Sequence, residues 1–326
     1  MVGQAVSIKT SFIIPHKGRE EMLIETIKSI ANLDSAKDTY EVILVSQNKS
    51  VSDAVSQFSQ SLNLTVVHND EQNTISHSRN MGAKVAQGEY FAFLDADIAL
   101  ASNWLDVMTN IIESRSNTLL VSAMQINSTN APALEKIRTA LSNAEVDTTV
   151  NFLPGRNLFL KRETFNAAGQ FPEHLLTCED YYFTDKVNDL GELFYTSKTT
   201  YVHIGEDKAF IPMYKKEIWR GQSNLASLKG RHIPLRELPS FVVPFAVSGG
   251  ILCAITALML SQLLWGSIFL VVALLPFLVY TVRLKKLTKK TVPFSYCALF
   301  YALYFPARAI GTLLGVRGAV STSSHK

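Results

Sequence analysis

From Ser7 to about Ile204 the chain alternates short apolar runs with segments whose apolar residues recur every three or four positions. The first run, IKTSFIIP, reads as a buried strand closed by Pro15. The next segment, REEMLIETIKSIANL, sets Met22, Leu23, Ile27 and Ile30 at helical spacing and predicts an amphipathic helix. YEVILVS predicts a second strand, Ser52–Leu62 a polar helix and LTVVHN a third strand. TISHSRNMGAKVAQG predicts a helix with Thr74 or Ser76 near its cap and Gly88 at its end. Tyr90–Leu94, with hardly a polar atom, predicts a strand inside a sheet. This alternation predicts an α/β fold in doubly wound order, where ligands gather at the carboxyl ends of parallel strands. Pro15-His16, Ser46-Gln47 and Asp95–Asp97 all fall at such ends.

Beyond Glu237 the pattern changes. Leu238–Val282 is 45 residues without a charge or a histidine. As one helix it would reach about 68 Å at ~1.5 Å per residue, against a hydrocarbon core of about 30 Å. It must therefore cross twice, with Ser261-Gln262 as the turn and spans near Pro239–Leu260 and Leu263–Val282. Lys229, Arg231 and Arg236 precede this hairpin, and Arg283, Lys285, Lys286, Lys289 and Lys290 follow it. Basic residues at both ends place both ends in the cytoplasm. A third apolar stretch, Val292–Val316, is interrupted by Pro306 and Arg308. An arginine in mid-membrane is costly, which tilts this stretch toward an interfacial helix rather than a third span.

Composition narrows the function. The net charge of +3 is too small for a nucleic-acid binder, and the 47% hydrophobic content is concentrated at the C-terminal end. Cys178, Cys253 and Cys297 are far apart and form no CxxC pair, which points to isolated reduced thiols. The N-terminus lacks a basic start and an apolar core, so no signal peptide is expected. No GxGxxG or Walker loop follows the first strand, which excludes the usual dinucleotide and P-loop sites.

Asp95 and Asp97, one residue apart at the end of an apolar strand, are the first candidate for chemistry. Carboxylate oxygens at this spacing suit Mg²⁺ or Mn²⁺ completed by substrate phosphates. The same pair also fits a solvated turn, or a cap for the ASNWLDVM segment that follows. Glu179-Asp180 equally fits the start of a helix, where acids are favoured.

Four stretches in order, SFIIPHKGREEMLIETIKSI, SRNMGAKVAQGEYFAFLDADI, GRNLFLKRETFNAAGQF and CEDYYFTDKVNDLG, resemble glycosyltransferase family 2, the inverting enzymes of GT-A fold. The resemblance covers about Ser7 to His203 and implies a membrane-anchored bacterial member with a Rossmann-like mixed sheet followed by C-terminal transmembrane helices. It implies that Pro15 and His16 lie beside the nucleotide base and ribose. Arg79 would reach the nucleotide, with Asn80 and Gly82 fixing its helix. Asp95 would hold the ribose or share the metal, and Asp97 would bind the metal that bridges the diphosphate. Asp180 would be the general base and Glu179 would position the acceptor. His203 matches a further metal ligand, though an ordinary half-buried histidine fits as well. Trp219-Arg220 could contact acceptor or phosphates, or simply anchor the chain at the interface.

Two departures shape the expectation. Where the family commonly has an acidic turn after the second strand, this chain has VSQNKS, leaving Gln47 to meet a pyrimidine edge. IWRGQ is not the QxxRW motif of processive members, which favours single addition. The expected partners are a nucleotide-sugar donor, a UDP-sugar first, a glycan or lipid-linked acceptor, and the inner membrane, with the catalytic part cytoplasmic and no nucleic acid. The expected layout is a catalytic domain over 1–205, a basic connector over 206–237, the hairpin over 238–282, and a loop with the third apolar segment over 283–326. Two rivals stand beside it. One transfers sugar to polyprenyl phosphate, which would need the cations Lys215, Lys216 and Arg220. The other is a non-catalytic assembly subunit that keeps the fold.

Overall fold

The structure is a computed structural model that describes residues 8–225 and 235–323. The basic residues Lys229 and Arg231 of the expected hairpin flank lie outside the described residues. The chain divides into two compact units, residues 1–128 with 145–205 and residues 129–144 with 206–326. Residues 129–144 group with the C-terminal residues rather than with the rest of the first 205.

In the first unit the elements run β1 (Thr10–His16), α1 (Glu20–Ala31), β2 (Tyr40–Ser46), α2 (Asp53–Ser56), β3 (Leu64–His68), α3 (Ile75–Val85), β4 (Tyr90–Leu94), β5 (Ile98–Leu100), α4 (Trp104–Ser114) and β6 (Thr118–Ile126). After the excursion that carries α5 (Ala133–Ser142) come β7 (Thr148–Val150), β8 (Asn157–Lys161), α6 (Arg162–Ala167), α7 (Glu179–Asn188) and β9 (Glu192–His203). The nine strands form one sheet in the order β3-β2-β1-β4-β8-β6-β9-β5, with β7 also on β9.

Strands β3, β2, β1 and β4 are mutually parallel. Strand β8 enters antiparallel beside β4 and turns the doubly wound start into a mixed sheet. Both faces of the sheet are covered. Phe12, Ile14, Val42, Leu44, Ala92 and Leu94 pack on one side with Leu23, Ile27 and Trp104. Ile13, Ile43, Val45, Phe91 and Phe93 pack on the other with Phe165 and Phe183. Alternate residues feeding two cores explain why β1, β2 and β4 read as continuous apolar runs. The polar helix expected over Ser52–Leu62 is only the turn α2 followed by a 3₁₀ turn at Gln57–Gln60. Helix α3 ends at Val85, and Gly88 serves a different purpose, since a Cβ there would press on the backbone of Thr10 and Ser11.

The second unit holds α5 together with α8 (Phe210–Gly221), α9 (Leu238–Met259), α10 (Leu263–Leu287) and α11 (Phe294–Ser323). Among the described residues three stretches are long and apolar enough to cross a membrane: Leu238–Met259, Leu263–Leu287 and Phe294–Val316. Ser261 carries the positive φ of 59° that turns the hairpin, as expected at that site. Helix α11 continues through Pro306 and Arg308. The cost of an arginine in mid-membrane falls when its charge is met, and Arg308 has partners. Its Nη1 lies 3.7 Å from Glu217 Oε2 and its Nη2 donates to Asn224 Oδ1 at 2.8 Å. Helices α8 and α11 approach so closely at Gly221 and Gly311 that a side chain at 311 would collide with the carbonyl of Ile218.

Glu217 is the centre of a buried ionic cluster. It accepts from Arg138 Nη1 on α5 at 3.1 Å and from Arg220 Nη1 at 2.6 Å. Asp207 faces Arg138 Nε at 3.4 Å and Lys216 Nζ at 3.3 Å. Burial raises the carboxyl pKa of Glu217, but Arg138, Arg220 and Arg308 together pull it below the ordinary value. Removing one member of such a cluster strands the others in a low-dielectric interior. Glu217→Ala should therefore destabilise the folded chain by about 3–5 kcal/mol, read as a lower thermal midpoint in detergent. Glu25→Ala removes an exposed pair with Lys28 and should barely move that midpoint.

Candidate active site

The site in the first unit is assembled by strand register. Asp95 directly follows β4, and its N–H donates to Arg156 O at 3.1 Å because Leu94 pairs with Asn157 in antiparallel register. The chain then makes the Asp95–Asp97 turn and runs into β5, where Ile98 pairs with His203 at the end of β9. Ile204 N–H donates to Asp97 O at 2.8 Å. Two antiparallel pairings thus bring the Gly155-Arg156 segment to Asp95 and the His203–Gly205 segment to Asp97.

Arg79 joins the parts. It projects from α3, which lies close on β1 because Gly82 has no side chain to press on Ile13. Its side chain is 1% exposed. Nη2 donates to Asp95 Oδ1 at 2.9 Å and to Gly155 O at 3.3 Å, and Nη1 donates to Glu179 Oε1 at 2.9 Å. Its cationic carbon sits 4.9 Å from the Phe171 ring centre. Asn80, the next residue, holds the Phe171 backbone through both its amide oxygen and nitrogen, at 3.0 and 2.9 Å. The guanidinium thereby fixes Asp95, Glu179 and the Gly155 carbonyl around it.

Glu179 and Asp180 open α7, whose cap residue Cys178 is held at φ 63°. Asp180 Oδ2 accepts the Gly155 N–H at 3.1 Å, so the same residue that bonds Arg79 also orients Asp180. Glu179 and Asp180 do different things: the first is anchored inward on Arg79, and the second is half-buried on the loop before β8.

Asp97 is bracketed. His203 Nε2 lies 3.5 Å from Oδ1 and Arg19 Nη1 3.5 Å from Oδ2. Among the described residues no three His, Cys, Asp or Glu side chains close around one point. Asp95 turns to Arg79, which leaves Asp97 and His203 as the pair able to hold a divalent cation. Two donors fit a metal that takes its other ligands from a diphosphate, and would not retain one tightly alone.

The remaining expected residues are placed as follows. Pro15 and His16 end β1 in register with Val45 and Ser46, and His16 is 2% exposed with Nδ1 3.1 Å from Ser46 Oγ. Burial lowers the His16 pKa and keeps the ring neutral. Gln47 Nε2 donates to the carbonyls of Asp70 and Asn73 at 2.7 and 2.8 Å, tying the loops after β2 and β3 together. Trp219 and Arg220 lie on α8 in the other unit. Trp219 is 51% exposed, whereas Arg220 is bound to Glu217. Sequence reasoning overlooked Arg156, whose Nε donates to Tyr201 OH at 2.8 Å and Nη2 to Gln125 Oε1 at 3.0 Å. It also overlooked Arg19, and the one signal for that residue was its place beside Gly18 in KGRE.

Burial and the adjacent Asp180 push the Glu179 carboxyl up to about 7, against the pull of Arg79. An acid raised in the folded state weakens the fold as pH climbs from its ordinary value, 4.5, through the raised one. Glu179→Gln removes that titration. The melting temperature of the variant minus that of the parent should therefore grow between about pH 4.5 and about pH 7.5; a constant difference across that interval would show that Glu179 does not titrate there.

A family model described as glycosyl transferase family 2 matches residues 11–169. Glycosyltransferase AglE of Haloferax volcanii is 25% identical over 187 residues, 56% of this chain and 62% of its own length. The poly(ribitol-phosphate) beta-glucosyltransferase of Bacillus spizizenii is 28% identical over 183 residues, 54% of this chain and 29% of its own length. The chain thus spans less than two thirds of these curated relatives. Among solved structures, the mannosyltransferase PcManGT from Pyrobaculum calidifontis, in complex with GDP-Man and Mn²⁺, superposes with a TM-score of 0.62 at 17% identity, covering 94% of this chain and 87% of that one. TarS 1-349 of S. aureus in complex with UDP-GlcNAc gives 0.51 at 16% identity, covering 92% and 90%. The mixed sheet is the GT-A fold of these structures, the acids stand at its strand ends, and residues 11–169 are a glycosyl transferase family 2 domain.

Proposed function

We propose that the chain transfers one sugar from a nucleoside-diphosphate donor to a hydroxyl of a glycan or lipid-linked acceptor, with inversion at the anomeric carbon. The observation that carries this reading is the buried Arg79, which ties Asp95 to Glu179 at 2.9 Å each. One rigid group thereby sets a donor-side acid against an acceptor-side pair of acids, the minimum for an in-line displacement.

In the reaction the acceptor oxygen bonds to the anomeric carbon as the bond to the diphosphate oxygen breaks, and the hydroxyl proton goes to Asp180. A carboxylate positioned for that transfer contributes about 10²–10⁴-fold. Gly155 N–H keeps Asp180 oriented, and Arg79 holds Glu179 in place beside it. Asp97 and His203 would hold a divalent cation, which when bound neutralises charge on the leaving diphosphate. Asp95 offers its less engaged oxygen to the ribose. Pro15 and His16 shape the floor of the nucleotide site from the end of β1. Gln47 has spent its amide hydrogens on Asp70 and Asn73, so what it offers a base is the carbonyl Oε1. An acceptor there suits the ring N–H of uracil, in keeping with a UDP-sugar, and a guanine ring N–H satisfies it equally.

The C-terminal apolar helices support attachment to the inner membrane with the catalytic unit in the cytoplasm, as the basic flanks of the hairpin direct. Trp219, exposed on α8, fits an interfacial anchor. The polyprenyl-phosphate reading needs Lys215, Lys216 and Arg220 as phosphate ligands. Lys216 is paired with Asp207 at 3.3 Å and Arg220 with Glu217 at 2.6 Å, which favours a hydroxyl acceptor.

The test is transfer or hydrolysis of a panel of UDP- and GDP-sugars by the full chain in detergent with Mn²⁺. Asp180→Asn should keep donor affinity within about twofold and lower turnover by about 10²–10⁴-fold. Turnover unchanged in that variant would remove Asp180 as the base.

A further inference from the structure

Arg19 sits at a point the reaction scheme leaves unused. It joins β1 to α1 in the left-handed region, at φ 51° and ψ 47°. Its carbonyl accepts the N–H of Met22 at 3.1 Å and of Leu23 at 3.4 Å, so the backbone is fixed by the first turn of α1. Its side chain is nevertheless 65% exposed, and the tip reaches back to within 3.5 Å of Asp97 Oδ2. That contact is long for a guanidinium and a carboxylate, which close to about 2.7–2.9 Å when committed. The chain after β9 closes over the same pair. A Cβ on Gly205 would collide with Asp97 Oδ2 and come within 3.2 Å of Arg19 Nη1.

Three other cations near this end of the sheet have tighter commitments. Arg79 is buried on two carboxylates at 2.9 Å each. Arg156 is directed to Tyr201 and Gln125, and Lys17 Nζ donates to Glu71 O at 2.6 Å. The nearest acid on α1, Glu20, accepts the Ser52 N–H with both carboxylate oxygens at 3.2 Å, away from Asp97. A nucleoside diphosphate carries more negative charge than one divalent cation offsets. The exposed and loosely held guanidinium beside Asp97 is the group placed to meet the excess.

We propose that Arg19 is a diphosphate ligand of the donor site, resting on Asp97 in the free protein and passing to the phosphate oxygens when a diphosphate and a divalent cation arrive. This rests on the reading of Asp97 as a metal carboxylate. It has a consequence of opposite sign for two ligands. In the free protein Arg19 opposes a cation at Asp97, and in the loaded protein it holds the anion.

Mn²⁺ binding by electron paramagnetic resonance and pyrophosphate binding by calorimetry in the presence of Mn²⁺, both on the full chain in detergent, separate the cases without recourse to turnover. Arg19→Ala should bind Mn²⁺ alone more tightly than the parent, and should bind pyrophosphate with Mn²⁺ roughly tenfold or more weakly, the scale of one charged hydrogen bond. Arg19→Lys should recover part of the pyrophosphate affinity. Unchanged pyrophosphate affinity in Arg19→Ala, alongside loss of Mn²⁺ binding in Asp97→Asn, would overturn the role of Arg19 and leave the metal reading standing. Mn²⁺ binding unaffected by Asp97→Asn would overturn both.

Discussion

A guanidinium sealed from water has to be met by counter-charges, and the choice of those counter-charges organises the catalytic unit. Arg79 is met by Asp95 from the end of β4, Glu179 from the start of α7 and the carbonyl of Gly155 before β8. These three segments are far apart in the chain; the β4–β8 pairing brings two of them together, and Arg79 ties the third to them. Burying a charge without partners costs several kcal/mol, so each segment is held in place by the penalty for leaving it. The same penalty explains the neighbours of the site. Phe171 lies against the guanidinium, and Asn80 fixes Phe171, so that the cation keeps its position as well as its partners.

Charge is handled differently at Asp97. Here the contacts to Arg19 and His203 are long and one of them is made by an exposed side chain. Asp95 and Asp97 are one residue apart, yet the first is held at 2.9 Å by a buried arginine and the second meets its cations only at 3.5 Å. That contrast follows from strand pairing. β8 brings the Gly155-Arg156 segment to the first, whereas β9 delivers the histidine and a glycine to the second. A motif of two acids is thus two sites with different partners.

Much of this was legible in the sequence because it is local. The apolar run Tyr90–Leu94 and the acids at its exit depend on period and composition within a dozen residues, as do α1, α3 and the membrane hairpin. What escaped was long-range or conformational. β5 is three residues long and exists only because β9 pairs with it, and nothing local in Ile98–Leu100 announces that. The expected role of Arg79 came from its motif, but its commitment to Glu179 depends on a contact a hundred residues away. Arg19 takes its position from a left-handed backbone that no composition rule assigns to arginine. Arg308 looked unfavourable in an apolar helix because Glu217 and Asn224, its partners, lie on or beside another helix.

The excursion of residues 129–144 bears on what can be cut from this protein. Helix α5 buries Leu134 and Ile137 among side chains of α8 to α11, and its Arg138 is neutralised by Glu206, Asp207 and Glu217. A shortened chain that stops at residue 205 would be freed of its apolar helices and would still carry α5. It would then display two bare aliphatic side chains and an arginine evolved for an interior, in the middle of an otherwise finished catalytic unit. A soluble version is better sought by excising 129–144 along with the C-terminal helices, because the sequence contributes to the second unit twice, once within the first unit's span and once after it.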